Sequence, residues 1–330
     1  MTENKNVEKI FTSESEVKEY MKKISGEEQV YSIALFDILG FSNYVENHGN
    51  KVILELYETL LDLIHKQEST SHDNANLAGS IVPIRISDDW KKIGYAANAN
   101  GFINVCHFSD TFLLYVNYHL CKQGFWLADY REEPYPLLLG EIGTLHYPVV
   151  YERHPIYLSF LQTCMEFFCQ AIVAGIPLRG CIGTGLAIMN KEKSIYLGAP
   201  LVEAARGEAA QTALGIAFGK SFNNSHPVYN DYFIPYLAQI KSEKAKYLSP
   251  MMLDWPRYWR KSLEFKNYSL EDCINKMNID SNFSSYYDNA ISFFEFSAKH
   301  ENWSQELRRD GIKDIKDYYD RAREWYESVE

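Results

Sequence analysis

The chain has 330 residues and a mass of 38.2 kDa, and 46% of its residues are hydrophobic, so it can form one large domain or two modest ones with a sizeable core. Its net charge of −11 and pI near 5.4, without a long basic block, argue against duplex nucleic acid and anionic membranes as partners. No run approaches the roughly 20 apolar residues that span a bilayer, and the polar, acidic start is unlike a signal peptide, so we expect a cytoplasmic protein without membrane contact.

The cysteines give no sign of a metal site or of a disulfide framework. Six are present, they lie mostly inside apolar segments, and no two form a CxxC pair. We therefore expect free thiols that are mostly buried.

The first predicted elements are a helix and a buried strand. Ser13 and Glu16 form a capping box for a helix over residues 13–25. Residues 30–38 are nearly all apolar and rich in β-branched and aromatic side chains, as in a strand that is buried on both faces. This strand is expected to end at Asp37.

A helix and a hairpin are predicted next. Residues 52–66 repeat apolar side chains at helical spacing. Residues 68–95 are polar and rich in turn formers, as in an insertion or an irregular hairpin. Strand character resumes over residues 102–118 on both sides of Asp110, which predicts a hairpin whose turn carries an aspartate.

A buried helix follows a second insertion at residues 119–150. Pro155 stands at its start and Gly175 just past its end, and its sequence is apolar almost all round. Residues 176–189 predict a strand whose glycines allow close backbone approach, and residues 198–213 predict a helix of small residues before one more strand.

Helical patterns with aromatic and charged faces dominate the last third of the chain. Its aromatic WPRYW stretch is expected to pack onto the rest of the protein rather than to stack on a ligand. We therefore divide the chain into an N-terminal helix (1–27), a domain that carries the candidate site (28–230) and a helical C-terminal extension packed on that domain (231–330).

Two aspartates at strand ends are the main chemical signal. Asp37 and Asp110 would meet if their strands were neighbours, and such a carboxylate pair suits Mg²⁺ or Mn²⁺. The backbone amides of Gly40, Phe41 and Ser42 stand at a predicted helix start, where N–H groups favour phosphate. Taken alone, each aspartate could equally cap a structural element.

Four motifs in chain order resemble those of the class III nucleotidyl cyclases. FDILGFS is similar to the first metal motif of that family, and HFSDTFLLYV to the second. PLRGCIGTG resembles the arginine-containing strand, and YLGAPLVEAAR the late helix motif. Together these motifs cover about half the chain, from residue 36 to residue 206.

The resemblance implies an α+β fold with a βααββαβ (ferredoxin-like) core, here with insertions and a helical C-terminal extension. It implies two Mn²⁺ or Mg²⁺ ions per active site, held by Asp37, Asp110 and the backbone carbonyl of Ile38. Arg179 would grip the β- and γ-phosphates, and Arg206 would offset the charge that develops at the α-phosphate. It also implies a homodimer whose composite sites take the metal ligands from one subunit and the late arginine from the other.

Departures from the family pattern bear on the substrate. Val202 replaces an asparagine of the purine cyclases, and the base-pocket positions at which adenylate cyclases carry lysine and aspartate align with Cys106 and Ile195. Neither side chain reproduces that hydrogen-bond pattern, which argues against ATP.

These departures and the insertions resemble the bacterial pyrimidine cyclases of the Pycsar anti-phage systems. The resemblance implies conversion of UTP or CTP to cyclic UMP or cyclic CMP, which a separate effector senses. A catalytically degenerate binding module and a purine nucleotide cyclase remain alternatives. A lysine that contacts the triphosphate could be Lys241, Lys244 or Lys246.

Overall fold

The computed structural model describes residues 19, 22–23, 26–47, 49–78, 103–117, 124–136, 142–222, 232–237, 241–277, 281–307 and 315–330. The predicted helix at residues 13–25 falls almost entirely outside these ranges, as do Cys121 and most of the first insertion.

Ten strands form one large sheet and one separate pair within the described ranges. In chain order they are β1 (Glu28–Ile38), β2 (Asn104–Phe108), β3 (Thr111–Asn117), β4 (Gly124–Pro136), β5 (Ile142–Pro155), β6 (Leu178–Asn190), β7 (Ile195–Gly198), β8 (Gly215–Gly219), β9 (Phe233–Pro235) and β10 (Leu248–Leu253). The large sheet has the order β2-β3-β1-β6-β8-β10-β9, with β7 paired to β6, while β4 and β5 pair with each other. Strand β1 is antiparallel to both of its neighbours, and β8 is parallel to β6.

Nine α-helices connect and cover these strands in the part of the chain that is described. They are α1 (Phe41–Asn47), α2 (Asn50–Ala78), α3 (Ile156–Val173), α4 (Ala199–Ala210), α5 (Trp255–Lys261), α6 (Leu270–Asn275), α7 (Ser284–Lys299), α8 (Trp303–Glu306) and α9 (Ile315–Val329). No helix among the described residues has the length and apolar character needed to cross a bilayer. The fold is therefore α+β, with helices on both faces of a mixed sheet.

Strand β1 is an interior strand of the sheet and is buried on both faces, as its apolar sequence predicted. Residues 31–36 are all buried, and alternate side chains enter two different clusters. Ala34 and Phe36 join the large core, which includes α2, α3 and much of the C-terminal extension. Ile33 and Leu35 join a smaller cluster with Ala204 of α4 on the other face. The two faces of the sheet are thus covered by different helices.

The buried helix and the hairpin are also where the sequence predicted them. Helix α3 ends before Gly175, whose φ of +79° is a conformation that favours glycine. Strands β2 and β3 meet at a turn over Ser109 and Asp110. Of the cysteines, Cys106 is partly buried and the other four described ones, 164, 169, 181 and 273, are buried, all as free thiols.

Two element predictions were wrong. Helix α2 continues to Ala78, into the stretch assigned to an irregular insertion, because no proline or glycine interrupts it between residues 50 and 78. The extension is not wholly helical, since β9 and β10 lie within it and extend the sheet beyond β8. All six residues of β10 are buried, so the apolar run LSPMML reflects a covered strand rather than a helix.

Candidate active site at the end of strand β1

Asp37, the last residue but one of β1, is the centre of the candidate site. It stands opposite Thr111 of β3 on one side and Arg179 of β6 on the other. Residues that are directly opposed in antiparallel strands project to the same face, so these three side chains meet on the face that α4 covers. The Asp37 side chain keeps 25% exposure, which leaves it accessible to a small cation.

Asp110 interacts with Asp37 from the tight β2–β3 turn, in which Ser109 has φ +50°. Burial and the Asp110 charge raise the pKa of Asp37 to about 6, while the guanidinium of Arg179 and a hydrogen bond from Thr111 oppose this rise. The structure thus brings the two predicted aspartates together. Two carboxylates that interact in this way concentrate negative charge, which a bound cation would stabilise.

Arg179 lies between two carboxylates. Its Nη2 is 3.7 Å from Oδ2 of Asp37, and it forms an ion pair with Glu208 of α4. The guanidinium also lies over the ring of Tyr286, 5.5 Å from the ring centroid. With a side chain that is only 11% exposed, Arg179 is part of the wall of the site.

Glu208 and Tyr286 are site residues that the sequence analysis missed. Glu208 is buried among the small residues of a helix expected to pack closely, so a carboxylate there was a usable signal for a buried ion pair. Tyr286 lies in the extension, and nothing in its local sequence distinguishes a ring that contacts an arginine.

The loop after β1 has the predicted local structure. Helix α1 begins at Phe41, so the amides of Phe41 and Ser42 belong to its first turn, and the carbonyl of Ile38 closes the strand next to Asp37. Gly40 has φ +74°, and a Cβ at this position would lie 2.9 Å from Cε2 of Phe283. A ring of the extension therefore packs directly on this loop.

Arg206 lies apart from this cluster, on the outer side of α4. Residues two apart in a helix point about 200° apart, so Arg206 is exposed where Glu208 faces the sheet. The Arg206 guanidinium lies 5.4 Å from the ring centroid of Tyr247, and Lys246 Nζ lies 5.2 Å from the same centroid. Val202 lines the same shallow depression of about 360 Å³.

The three lysines that are candidates for contacting the triphosphate lie in different positions. Lys241 Nζ donates a hydrogen bond of 2.9 Å to the carbonyl oxygen of Ala209 near the end of α4. Lys246 is exposed, whereas the side chain of Lys244 lies outside the described residues. Of the two lysines whose side chains are described, Lys246 is the one that meets the same ring as Arg206.

The two base-pocket candidates are not brought together. Cys106 shares a hydrogen bond with the hydroxyl of Tyr196, and burial raises the pKa of the Cys106 thiol to about 11. Ile195 precedes Tyr196 in β7, is 40% exposed, and points to the opposite side, as adjacent strand residues do. The Tyr196 ring lies 5.3 Å from the ring of Phe108, so Tyr196 forms the polar and aromatic neighbour of Cys106.

The oxygen donors fit a hard divalent cation with an open coordination sphere. Among the described residues, no group of three or more His, Cys, Asp or Glu side chains could hold a metal ion. Mg²⁺ and Mn²⁺ need fewer protein ligands, since one or two carboxylates suffice when waters and substrate phosphates complete the coordination. Asp37, Asp110 and the carbonyl of Ile38 are such a set.

Comparison of the chain with models of known protein families, with curated proteins and with solved structures finds no match in any of the three.

Proposed function

We propose that this protein is a pyrimidine nucleotide cyclase of the class III type, which converts UTP or CTP to the 3′,5′-cyclic monophosphate and pyrophosphate. In this proposal the product is a second messenger of anti-phage defence in the bacterial cytoplasm, and a separate effector senses it. The proposal rests on the four sequence motifs and on one structural observation, the strand register that sets Asp37 opposite Thr111, the residue that follows Asp110.

The arrangement of the central strands supports this proposal. The antiparallel order β2-β3-β1-β6 is consistent with a βααββαβ core, as are the described helices, two between β1 and β2 and one between β3 and β6. In such a core the end of β1 and the β2–β3 turn lie side by side. The candidate metal ligands are found at these two places.

Each site residue has a separate role in the proposed reaction. Asp37, Asp110 and the carbonyl of Ile38 would hold two Mg²⁺ or Mn²⁺ ions, and Arg179 orients Asp37 and extends towards the β- and γ-phosphates. Bound ions of this kind acidify a hydroxyl and neutralise phosphate charge. The ribose 3′-oxygen would then attack the α-phosphorus in line, with its hydroxyl proton passing to solvent. The bond from the α-phosphorus to the β-phosphate oxygen breaks, pyrophosphate leaves, and the charge of Arg206 would offset the negative charge that develops.

The position of Arg206 supports a homodimer with composite sites. Arg206 and Lys246 are exposed beside Tyr247 on the outer side of α4, where a partner subunit could use them. Each subunit would then supply metal ligands to one site and cations to the other.

The surroundings of Cys106 support a base other than adenine. Its thiol is neutral at physiological pH because burial raises its pKa to about 11, and its hydrogen-bond partner is the hydroxyl of Tyr196. A thiol and a phenol form a different hydrogen-bond pattern from the lysine and aspartate that read adenine. UTP is our first candidate substrate and CTP the second.

A binding module without turnover is the second candidate function, and the state of Arg179 favours it. Because Glu208 and Asp37 both contact this arginine, a phosphate would have to compete with two carboxylates for the guanidinium. Such a protein would bind a nucleotide without cyclising it.

Incubation of the purified protein with Mn²⁺ and each of ATP, GTP, CTP and UTP tests these candidates, with products identified by mass spectrometry against 3′,5′-cyclic standards. We expect cyclic UMP or cyclic CMP, and no product from the Asp37→Ala variant. A cyclic purine product would contradict the substrate assignment. Failure of all four nucleotides to react, with the protein folded and nucleotide binding measurable, would favour the binding module.

A further inference from the structure

The start of α7 and the short 3₁₀ turn before it, Ser281–Phe283, contact two separate parts of the candidate site. Phe283 packs on Gly40 in the loop that follows Asp37. One turn further along, the Tyr286 ring lies under the guanidinium of Arg179. A segment of the extension therefore contacts both the metal loop and the arginine.

Helix α7 is held firmly at this position. Asn289 Nδ2 donates a hydrogen bond of 2.8 Å to the carbonyl oxygen of Thr212, in the loop before β8. Further along, the hydroxyl of Ser297 donates a hydrogen bond of 2.5 Å to the buried carboxylate of Asp254. Contacts at both ends of the helix thus keep Tyr286 in a fixed place relative to the sheet.

We propose that Tyr286 is a positioning residue that holds the Arg179 guanidinium in the position from which it contacts Asp37 and Glu208. The faces of a guanidinium stack on aromatic rings, while its N–H groups lie in the plane and point towards carboxylates. The centroid of the Tyr286 ring lies 5.5 Å from the guanidinium carbon of Arg179, while Nη2 of Arg179 contacts Asp37 and Glu208. Glu208 completes the arrangement from α4.

Removal of the ring therefore frees the arginine. Without the Tyr286 ring the guanidinium can move away from Asp37 and Glu208, and solvent reaches a side chain that is only 11% exposed in the present structure. The consequence for catalysis rests on the proposed function, because a displaced Arg179 no longer orients Asp37. The consequence for Arg179 itself holds whatever reaction the site performs.

The chain contains a matched control on the same helix. Phe294 of α7 stacks under Arg260 with a distance of 5.3 Å from its ring centroid to the guanidinium carbon, and this pair is part of the network around Asp254 and Ser297. Phe294→Leu removes a cation–π contact of the same type without touching the candidate site. Tyr286→Phe keeps the ring and serves as the conservative variant.

The first readout is the rate at which phenylglyoxal modifies each arginine of the full-length protein, followed by peptide mass spectrometry. In Tyr286→Leu we expect Arg179 to react at least about fivefold faster, since it gains exposure, with Arg206 unchanged in the same sample. Tyr286→Phe and Phe294→Leu should keep the slow wild-type rate at Arg179. An unchanged Arg179 rate in a folded Tyr286→Leu protein would overturn the proposal.

Two further measurements separate the possible failures. If Tyr286→Leu does not fold, Glu208→Gln weakens another contact of Arg179 with little change in side-chain volume. This variant should also accelerate modification of Arg179. An unchanged rate would refute the proposed arrangement of Tyr286, Arg179 and Glu208. In the nucleotide assay we expect kcat of Tyr286→Leu to fall about tenfold while Tyr286→Phe recovers the wild-type value. Faster labelling in a protein that cyclises no nucleotide would retain Tyr286 as a positioning residue and reject the proposed function.

Discussion

Ionisation of the Asp37 carboxyl group destabilises the metal-free protein. Its folded-state pKa of about 6 lies above the ordinary value of 3.8, because burial and Asp110 both disfavour the carboxylate. The folded state therefore keeps this proton to higher pH than the unfolded chain does, and the contribution of Asp37 to stability falls as the pH rises from about 4 to about 6. Functional carboxylates commonly reduce stability in this way.

Replacement of Asp37 by asparagine should therefore stabilise the metal-free protein at neutral pH. We expect Asp37→Asn to raise the melting temperature by ~2–4 °C in the presence of EDTA, a modest shift because the side chain is partly exposed and because its contact with Arg179 weakens. Asp62→Asn, at an exposed position on α2, is the control and should leave the melting temperature unchanged. A lower melting temperature for Asp37→Asn would mean that its contact with Arg179 outweighs the repulsion from Asp110.

The same pKa predicts how metal binding depends on pH. A cation needs the ionised carboxylate, so protonation of Asp37 competes with the metal below pH of about 6. We expect the Mn²⁺ affinity to be nearly constant above about pH 7 and to fall up to about tenfold between pH 6 and pH 5. Electron paramagnetic resonance of free Mn²⁺ at several pH values measures this directly. An affinity independent of pH over this range would show that Asp37 is not a ligand.

At the residue scale, the sequence predicted the two aspartates of the candidate site but not the residues that surround Arg179. Asp37 and Asp110 were predictable because each breaks an apolar strand pattern at a position where strand ends meet. Tyr286 was not predictable, because its role depends on how a helix of the extension packs near Arg179. Glu208 offered one signal, a carboxylate among the small residues of α4, but the sequence did not identify Arg179 as its partner. Ile195 was aligned with a base-reading position, but in β7 it is Tyr196 that contacts Cys106.

At the element scale, the approach of α4 to β6 is set by glycine. A Cβ on Gly183 would lie 2.5 Å from the carbonyl oxygen of Pro200, whereas a Cβ on Gly185, two residues along on the same face, would meet its nearest atom at 3.4 Å. The sequence analysis predicted that glycines in this strand allow close backbone approach, and Gly183 confirms it.

These two glycines give a matched pair of variants. Gly183→Ala should reduce the free energy of unfolding by ~1–3 kcal/mol, because the main chain of α4 must move away. Gly185→Ala should change it by less than about 0.5 kcal/mol. Urea denaturation of both variants measures the difference, and equal values would contradict the observed distance between α4 and β6.

Strands β9 and β10 show why the extension was harder to predict than the rest. The core elements β1 and α3 are long and have one clear pattern, whereas β9 has three residues and β10 six, with a proline inside β10. Strands this short have no periodicity that separates them from a helix, and only their pairing identifies them: β10 pairs with β8, and β9 pairs with β10. The alternation of apolar and polar residues that marks a half-exposed strand is also absent, because β9 and β10 are wholly buried.

At the scale of the whole molecule, we expect the extension and the domain before it to unfold together. Four of the six tryptophans, at positions 255, 259, 303 and 325, are buried in the same core as β1 and α3. Tryptophan fluorescence therefore reports mainly on the extension, while far-UV circular dichroism reports on the entire chain. The two signals should give the same denaturation midpoint. Two separate midpoints would mean that the extension folds as an independent unit.

The proposed composite site makes a quantitative prediction for the dimer. If the metal ligands and Arg206 act from different subunits, a dimer of one Asp37→Ala chain and one Arg206→Ala chain contains one intact site and one doubly defective site. Random exchange of equal amounts makes half of the dimers mixed, so the mixture should regain about a quarter of the wild-type activity, although each variant alone is inactive.

The matched control combines two variants from the same half of the site. Asp37→Ala mixed with Asp110→Ala leaves every site without one metal ligand when both aspartates act from one subunit, so this mixture should remain inactive. Native mass spectrometry must first show that mixed dimers form in both samples. Mixed dimers of Asp37→Ala and Arg206→Ala that stay inactive would reject the composite site, because Arg206 would then act within its own chain, from the outer side of α4. Recovery in both mixtures would instead mean that the two aspartates belong to different sites, contrary to the strand register that sets Asp37 opposite Thr111, the residue that follows Asp110.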